Sequence, residues 1–123
     1  MPKKNICPVS DTTSFFNRKW IYCILADMFR GKKYFKDFKE ANPTLSSHVL
    51  SQTLKYMEKN NLIEKIVLDN KTEYKLTDKG LKSNKILYEM VLFSITELEC
   101  SKLSETSKKN LLNEYKNVLN IGD

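Results

Sequence analysis

The strongest constraint on the fold of this 123-residue chain lies in residues 43–65, PTLSSHVLSQTLKYMEKNNLIEK. Pro43 disfavours helical geometry at Asn42, so a preceding helix must end there. Apolar residues then recur at i, i+4 and i+7, which is the spacing of one face of an amphipathic helix. That face comprises Leu50, Leu54 and Met57, with Val49 beside them. The pattern predicts a helix that is capped near Ser46 and ends at the Asn-Asn pair 60–61, since Asn favours a left-handed exit.

The opposite face of this helix carries short polar side chains where Glu, Lys or Ala would be usual. Its residues are Ser46, Ser47, His48, Ser51, Gln52 and Lys55. Ser and His are poor helix formers, so a purely structural surface would more often use better ones. The alternative interpretation is a solvated polar face on an ordinary helical bundle. The choice between the two depends on the elements that flank the helix.

Two elements flank it. Upstream, KKYFKDFKEANP predicts a short helix with Phe35, Phe38 and Ala41 turned inward. Downstream, LIEKIVLDNKTEYKLT has strand-forming residues on both sides of the turn signal DNKT, which predicts a hairpin over about residues 63–77. A short helix, a tight turn and a longer helix make a helix-turn-helix, and a hairpin directly after it is a wing. Since the rest of the chain has helical patterns, the expected class is mainly α with a small β-hairpin (α+β).

This arrangement favours DNA reading as the role of the polar face. A helix that enters the major groove, about 12 Å wide, needs outward side chains that are short or flexible, form hydrogen bonds and are not negative. The serines at the helix N-terminus, Ser46 and Ser47, are expected to hold a phosphate. The candidates for base edges are His48, Ser51, Gln52 and Lys55, the last of which also reaches the backbone.

Lysines outside this helix extend the candidate surface. Lys71 stands at the predicted hairpin tip, where contact with DNA is expected. Lys33, just before the short helix, is a candidate for a flanking phosphate, and a merely solvated role is an equal alternative. For Lys65 and Lys75 the choice stays open between DNA contact and protection of the hairpin edge.

The N-terminal part predicts two helices. Residues 9–17 form the first, capped by Ser10 or Asp11. The apolar stripe of KWIYCILADMFRG forms the second, which Gly31 ends. Cys23 lies off the centre of that stripe and is expected to be a small core residue.

The C-terminal part predicts one long helix and a final one. The long helix opens with Thr77 or Asp78 as its cap, and residues 86–95 are apolar on nearly every side. A helix with one wet side would not have that pattern, so packing on both its own domain and a second chain is expected. The final helix, from Ser104 onward, presents another apolar face that needs a partner.

Composition bounds the function classes. The net charge of +6 suggests an anionic partner, although a charged surface also keeps small proteins soluble. The cysteines have no metal spacing and the lone histidine has no catalytic partner, so no enzyme, cofactor or metal site is expected. The chain has no apolar run long enough for a bilayer and no signal-peptide core, so no membrane partner and a cytoplasmic location are expected.

The stretch CPVSDTTSFFNRKWIYCIL resembles the entry of the HxlR-type branch of winged-helix regulators, related to the MarR group. The resemblance rests on Cys-Pro-Val at 7–9 and on the Lys19–Trp20 pair. The segments YFKDFKEANPTLSSHVLSQTLKYMEKNNLIEK and EYKLTDKG follow the same pattern, so the resemblance spans about residues 7–98. Beyond residue 98 the resemblance fades and does not extend to the last helix. The length of 123 residues suits one domain over residues 1–123. The parts of that domain are a reading unit at about 34–60, a wing at about 63–77, and dimerisation helices at about 9–17 and 78–121.

The resemblance also implies a function. It is that of a homodimeric bacterial transcription factor, expected to act as a repressor on a pseudo-palindromic operator in double-stranded DNA. The alternative is a winged-helix module that binds protein without specific DNA binding. A small-molecule effector is left unidentified.

Some members of the branch sense oxidants or electrophiles through the cysteine that corresponds to Cys7. Its place before a helix N-terminus, with Lys3 and Lys4 nearby, favours a reactive thiolate. An inert thiol that packs against Trp20 is the alternative.

Overall fold

The computed structural model describes residues 6–98 and 103–122. The elements in chain order are α1 Pro8–Phe15, α2 Ile21–Phe29, α3 Phe35–Ala41, α4 Ser47–Lys59, β1 Ile63–Leu68, β2 Lys71–Leu76, α5 Asp78–Leu81, α6 Asn84–Glu97 and α7 Glu105–Val118. The predicted class, mainly α with a small β-hairpin, is confirmed. The order α3, turn, α4, hairpin is that of a winged helix-turn-helix.

Helix α1 begins earlier than the sequence patterns predict. Its cap is Cys7, whose Sγ accepts a hydrogen bond from the Ser10 N–H at 3.4 Å, so the prediction of Ser10 or Asp11 as the cap is wrong. Pro8 explains the difference, because its fixed φ suits the first helical position and its missing N–H costs nothing there. None of the residues of α1 itself is buried.

Helix α2 ends as predicted at Gly31. This glycine has a φ of +95°, and its N–H bonds the Met28 carbonyl while the Lys32 N–H bonds that of Asp27, both at 3.0 Å. These two bonds form a Schellman motif, which needs a left-handed residue at Gly31. The residues of α2 that enter the core are Ile21, Ile24, Leu25 and Met28.

The prediction that Cys23 belongs to the core is wrong. Its side chain is exposed, because the buried stripe of α2 passes beside it. Neighbouring protein atoms nevertheless desolvate the sulfur, and this effect and the charge of Asp27 raise the pKa of the Cys23 thiol, against a smaller opposite effect of Lys19.

The core lies where α2, α3, α4 and the base of the hairpin meet. Its most deeply buried side chains are those of Ile21, Ile24, Leu25, Phe38, Leu45, Leu50, Met57, Leu62, Ile63 and Leu119. In α3 only Phe38 is fully buried, Phe35 is half-buried and Ala41 is exposed. The predicted inward position of Ala41 is therefore wrong, because Ala41 is the last residue of α3 and no neighbouring element among the described residues covers its side chain.

The hairpin agrees with its predicted span. Its antiparallel register runs from Ile63 opposite Leu76 to Leu68 opposite Lys71, with a loop of Asp69 and Asn70. Asp69 takes a φ of +53°, which Asp tolerates better than most residues. The Tyr74 N–H donates to the Lys33 carbonyl at 2.8 Å, so the loop between α2 and α3 is attached to the edge of β2.

The predicted long helix after the hairpin is two helices. Thr77 caps the first, since its Oγ1 accepts the Gly80 N–H at 3.0 Å, but α5 ends at Leu81. Ser83 lies buried at the break, and its hydroxyl donates to the Gly80 carbonyl at 2.7 Å. The break lets α5 pack closely on the backbone at Leu62. Because Leu62 lies outside the segment predicted as one helix, the pattern of that segment does not show the break.

Helix α7 packs on its own chain. Arg30, the C-cap residue of α2, donates from Nη1 to Glu114 Oε2 at 2.6 Å, and its guanidinium lies 4.6 Å from the ring centre of Tyr115. Asn84 donates to the Leu119 carbonyl at 2.8 Å, and the side chain of Leu119 is fully buried. The C-terminal helix is thus fixed both to α2 and to the start of α6.

Candidate DNA-binding surface

The turn between α3 and α4 is held by side chains of α2, of α3 and of the turn itself. The Leu45 N–H bonds the Asn42 carbonyl at 2.9 Å, and the Lys39 ammonium donates to the Leu45 carbonyl at 2.5 Å. The Asn42 amide donates to the carboxylate of Asp27 on α2 at 2.8 Å and to the Phe38 carbonyl at 2.9 Å. Partial burial raises the pKa of the Asp27 carboxyl, although the Asn42 hydrogen bond opposes that rise. Together these bonds orient α4 with respect to α2 and α3.

The N-terminus of α4 has the predicted cap. The Ser46 Oγ accepts the Val49 N–H at 3.1 Å. A serine hydroxyl that accepts in this way can still donate its proton, so the cap remains compatible with a phosphate contact.

The buried face of α4 differs from the predicted one at two residues, Val49 and Thr53. Leu50, Leu54 and Met57 are buried as predicted, but Val49 is 37% exposed and Thr53 is 2% exposed. Thr53 is three residues after Leu50 and four before Met57, so it lies within their stripe. Its polarity concealed that position, and its hydroxyl is satisfied by the Val49 carbonyl at 2.8 Å.

The opposite face of α4 brings the predicted reading residues together. Ser46, Ser47, His48, Gln52 and Lys55 are exposed, and Ser51 is half-buried. We call these six residues the reading face. The first acidic residue of α4 is Glu58, in its last turn, so the reading face contains no negative charge.

The two predicted lysines outside α4 differ in their surroundings. Lys71 is exposed at the start of β2, beside the hairpin loop. The Lys33 ammonium lies 3.9 Å from a carboxylate oxygen of Glu73, in the middle of β2. Lys33 therefore lies beside an acid, which makes it the weaker candidate. Of the two undecided lysines, Lys75 is paired in register with Glu64 and Lys65 with Tyr74.

Cys7 is exposed, as a reactive thiol must be. Lys3 and Lys4, which the sequence places near it, lie outside the described residues, as does Cys100. In residues 6–98 and 103–122, no cluster of three or more His, Cys, Asp or Glu side chains could hold a metal ion. Within the same ranges, no helix combines the length and apolar character needed to cross a membrane.

The hairpin after α4 and the acid-free reading face on α4 define the class of the protein, a winged helix-turn-helix DNA-binding regulator. The description "HxlR-like helix-turn-helix" belongs to the family model that matches residues 15–102. The chain belongs to this HxlR-like family, whose members are transcriptional regulators and not enzymes.

Individual relatives agree with this placement. The HTH-type transcriptional regulator YodB of Bacillus subtilis (strain 168) is 32% identical over 89 residues, which cover 69% of this chain and 80% of YodB. The uncharacterized HTH-type regulator YvaP of the same organism is 30% identical over 94 residues, 73% of this chain and 87% of YvaP. The crystal structure of quinone-bound YodB from B. subtilis superimposes with a TM-score of 0.63 at 30% identity, over 72% of this chain and 97% of that one.

Proposed function

We propose that the protein is a homodimeric transcriptional repressor that places one α4 helix of each subunit in the major groove of a pseudo-palindromic operator. The observation that carries this proposal is the reading face, which is acid-free and exposed because the opposite side of α4 is buried. In this proposal residues 34–60 form the reading unit, residues 63–77 form the wing, and the helices at the two ends of the chain form the dimer interface. The protein acts in the cytoplasm, and repression needs only that it occupy a promoter.

Each part of the reading face suits a different contact. Ser46 and Ser47 lie at the N-terminus of α4, where unpaired N–H groups and hydroxyls suit a phosphate. One turn further on, Gln52 offers an amide that can donate to adenine N7 and accept from N6. No carboxylate among the described residues lies within 4.0 Å of the ammonium groups of Lys55 and Lys71, so both are available to phosphates.

A dimer is supported by the outer face of α6. Ile86, Met90, Phe93 and Leu98 are 37%, 44%, 58% and 47% exposed, and they line a groove of about 730 Å³. A contiguous apolar surface of this kind marks an interaction site. Ile6 and Val9, beside and in α1, are also exposed. A second copy of the chain would cover these apolar side chains and set the two α4 helices about 34–36 Å apart.

Binding to the protein's own upstream promoter region, measured across a salt series, tests the DNA-reading role. We expect selective binding that weakens steeply with salt, because lysine–phosphate contacts release counterions. Gln52→Ala should bind its preferred site with an affinity about tenfold or more lower than the parent's, and it should discriminate less at one base pair. Lys71→Ala should weaken all sequences alike and lower the salt slope by about one unit.

Lys109→Ala, on the exposed side of α7, is the matched control and should bind like the parent. If the parent shows no selective, salt-dependent binding, the proposal gives way to a protein-interaction module. If Gln52→Ala binds its operator as well as the parent, the assignment of the reading face is wrong.

We also propose that Cys7 makes the regulator thiol-responsive. In its support, Cys7 is exposed and its sulfur takes part in the cap of α1, and YodB has been solved with a quinone bound. Mild oxidation or a quinone should release the operator from the parent protein. Cys7→Ser should keep binding under both treatments.

Cys23→Ser is the control for this response. The raised pKa of Cys23 leaves it less of the reactive thiolate, so its replacement should leave the response intact. DNA binding that does not change on treatment of the parent would remove the thiol response and leave the DNA-reading role standing.

A further inference from the structure

The C-terminal end of α1 is attached directly to the recognition helix α4. The Tyr56 hydroxyl donates to the backbone carbonyl of Phe15 at 2.5 Å, although the two residues are 41 positions apart. The guanidinium of Arg18, in the segment between α1 and α2, lies 4.6 Å from the ring centre of Tyr56. The ring of Tyr56 thus contacts the segment between α1 and α2, and its hydroxyl is bonded to the last residue of α1.

Lys79 makes a second connection between the same two helices. Its ammonium donates to the carbonyl of Asn60, the C-cap residue of α4, at 3.1 Å. The same ammonium lies 4.6 Å from the ring centre of Phe15. A cation near the C-terminus of a helix is favourable there, and one over an aromatic face is favourable too. The carbonyl and the ring of Phe15 are therefore both held by residues that belong to α4 or contact its end.

Helix α1 has few other means of staying in place within its own subunit. It has eight residues, none of them buried, and helices of that length are marginal by themselves in water. A groove of about 310 Å³ separates it from α5 and α6. Next to its C-terminus, Phe16 is buried and its ring lies 5.2 Å from that of Tyr22. The order of α1 thus depends strongly on the contacts at Phe15 and Phe16.

We infer that Tyr56 and Lys79 are positioning residues that couple α1 to the recognition helix. DNA that fixes α4 orders α1, and a displacement of α1 weakens DNA binding. DNA binding favours the ordered α1 by the same factor by which the ordered α1 strengthens DNA binding, because a coupling free energy between two sites is reciprocal. The inference rests on the proposed DNA-reading role of α4. It assigns a regulatory route to that role, because α1 also carries Cys7 at its other end and is a proposed dimerisation helix.

Hydrogen exchange of the α1 amides, measured with and without promoter DNA, tests the coupling without requiring a response at Cys7. In the parent, saturating DNA should slow exchange at Thr12 to Phe16 by about fivefold, the lower range of typical couplings. Tyr56→Phe keeps the ring against Arg18 but removes the hydroxyl, so most of this protection should disappear. Its affinity for DNA should fall by a similar factor.

Two further variants make the test specific. Lys79→Met keeps an unbranched stem of similar length against Phe15 and removes the charge, and it should lose protection as Tyr56→Phe does. Tyr22→Phe removes a hydroxyl from another tyrosine that packs on the end of α1, and it should behave like the parent. Protein concentrations well above the dimer dissociation constant exclude a contribution from dimer formation.

The outcomes separate this inference from the function beneath it. A parent protein that does not bind DNA overturns the proposed function. A parent that binds DNA without slower exchange in α1 overturns the coupling and leaves the function. Equal protection in the parent and in both Tyr56→Phe and Lys79→Met overturns the assignment to these residues, and either variant suffices if the other does not fold.

Discussion

The Phe93→Asp variant is expected to remain monomeric at concentrations at which the parent protein forms the proposed dimer. Phe93 is the most exposed of the apolar side chains along the α6 groove, at 58%. A carboxylate in a buried apolar interface costs several kcal/mol because it loses its hydration without gaining a partner. In a two-fold symmetric interface each substitution occurs twice. We therefore expect the dimer dissociation constant to rise by about 100-fold or more.

Sedimentation and operator titration measure this effect together. A monomer can hold only one half-site, so operator affinity should fall by about 100-fold or more. Val67→Asp is the matched control for dimerisation, since Val67 is 64% exposed near the wing tip and does not line the α6 groove. Its substitution should leave the protein dimeric. A Phe93→Asp protein that remains dimeric would show that α6 does not form the interface.

The Gly80→Ala variant is expected to lose about 3 kcal/mol of unfolding free energy, at the upper end of the cost of overpacking. A Cβ at Gly80 would overlap the backbone carbonyl oxygen of Leu62 and come within 3.1 Å of a Leu76 methyl carbon. The backbone oxygen cannot rotate aside as a flexible side chain would. Relief requires α5 to move off the base of the hairpin, and Ser83, which is bonded to the Gly80 carbonyl, moves with it.

Thermal unfolding measures this loss, with an expected decrease in Tm of about 10 °C. Gly122→Ala is the control, because a Cβ there meets nothing within 4 Å. It should unfold within about a degree of the parent. If Gly80→Ala were equally stable, the close packing of α5 on Leu62 would be wrong.

The best predicted part of the molecule is the segment from Pro43 to Asn61. Ser46 caps α4, and Asn61 takes the left-handed φ of +63° that ends the helix. Each of these features depends on residues within about one helical turn of each other. Short-range chemistry of this kind can be read from the order of residues alone.

The errors share a different cause. The apolar character of Ala41 and Cys23 predicts core positions, but the neighbours that decide burial come from other elements. The hydroxyl of Thr53 argues against burial in the sequence pattern, and only the structure shows the carbonyl of Val49 that satisfies it. The break before Ser83 follows from the close approach of α5 to Leu62, about 20 positions earlier.

For the candidate site, the sequence by itself determined which residues stand on the reading face, because a buried apolar stripe at helical spacing dictates what lies opposite it. It also carried the family's motifs. Only the tertiary structure decided that Lys33 lies beside Glu73 and that Tyr56 and Lys79 join α4 to α1. The two residues of each pair are from 19 to 64 positions apart in the sequence. No local sequence pattern brings such residues together. Their proximity arises only when the core forms.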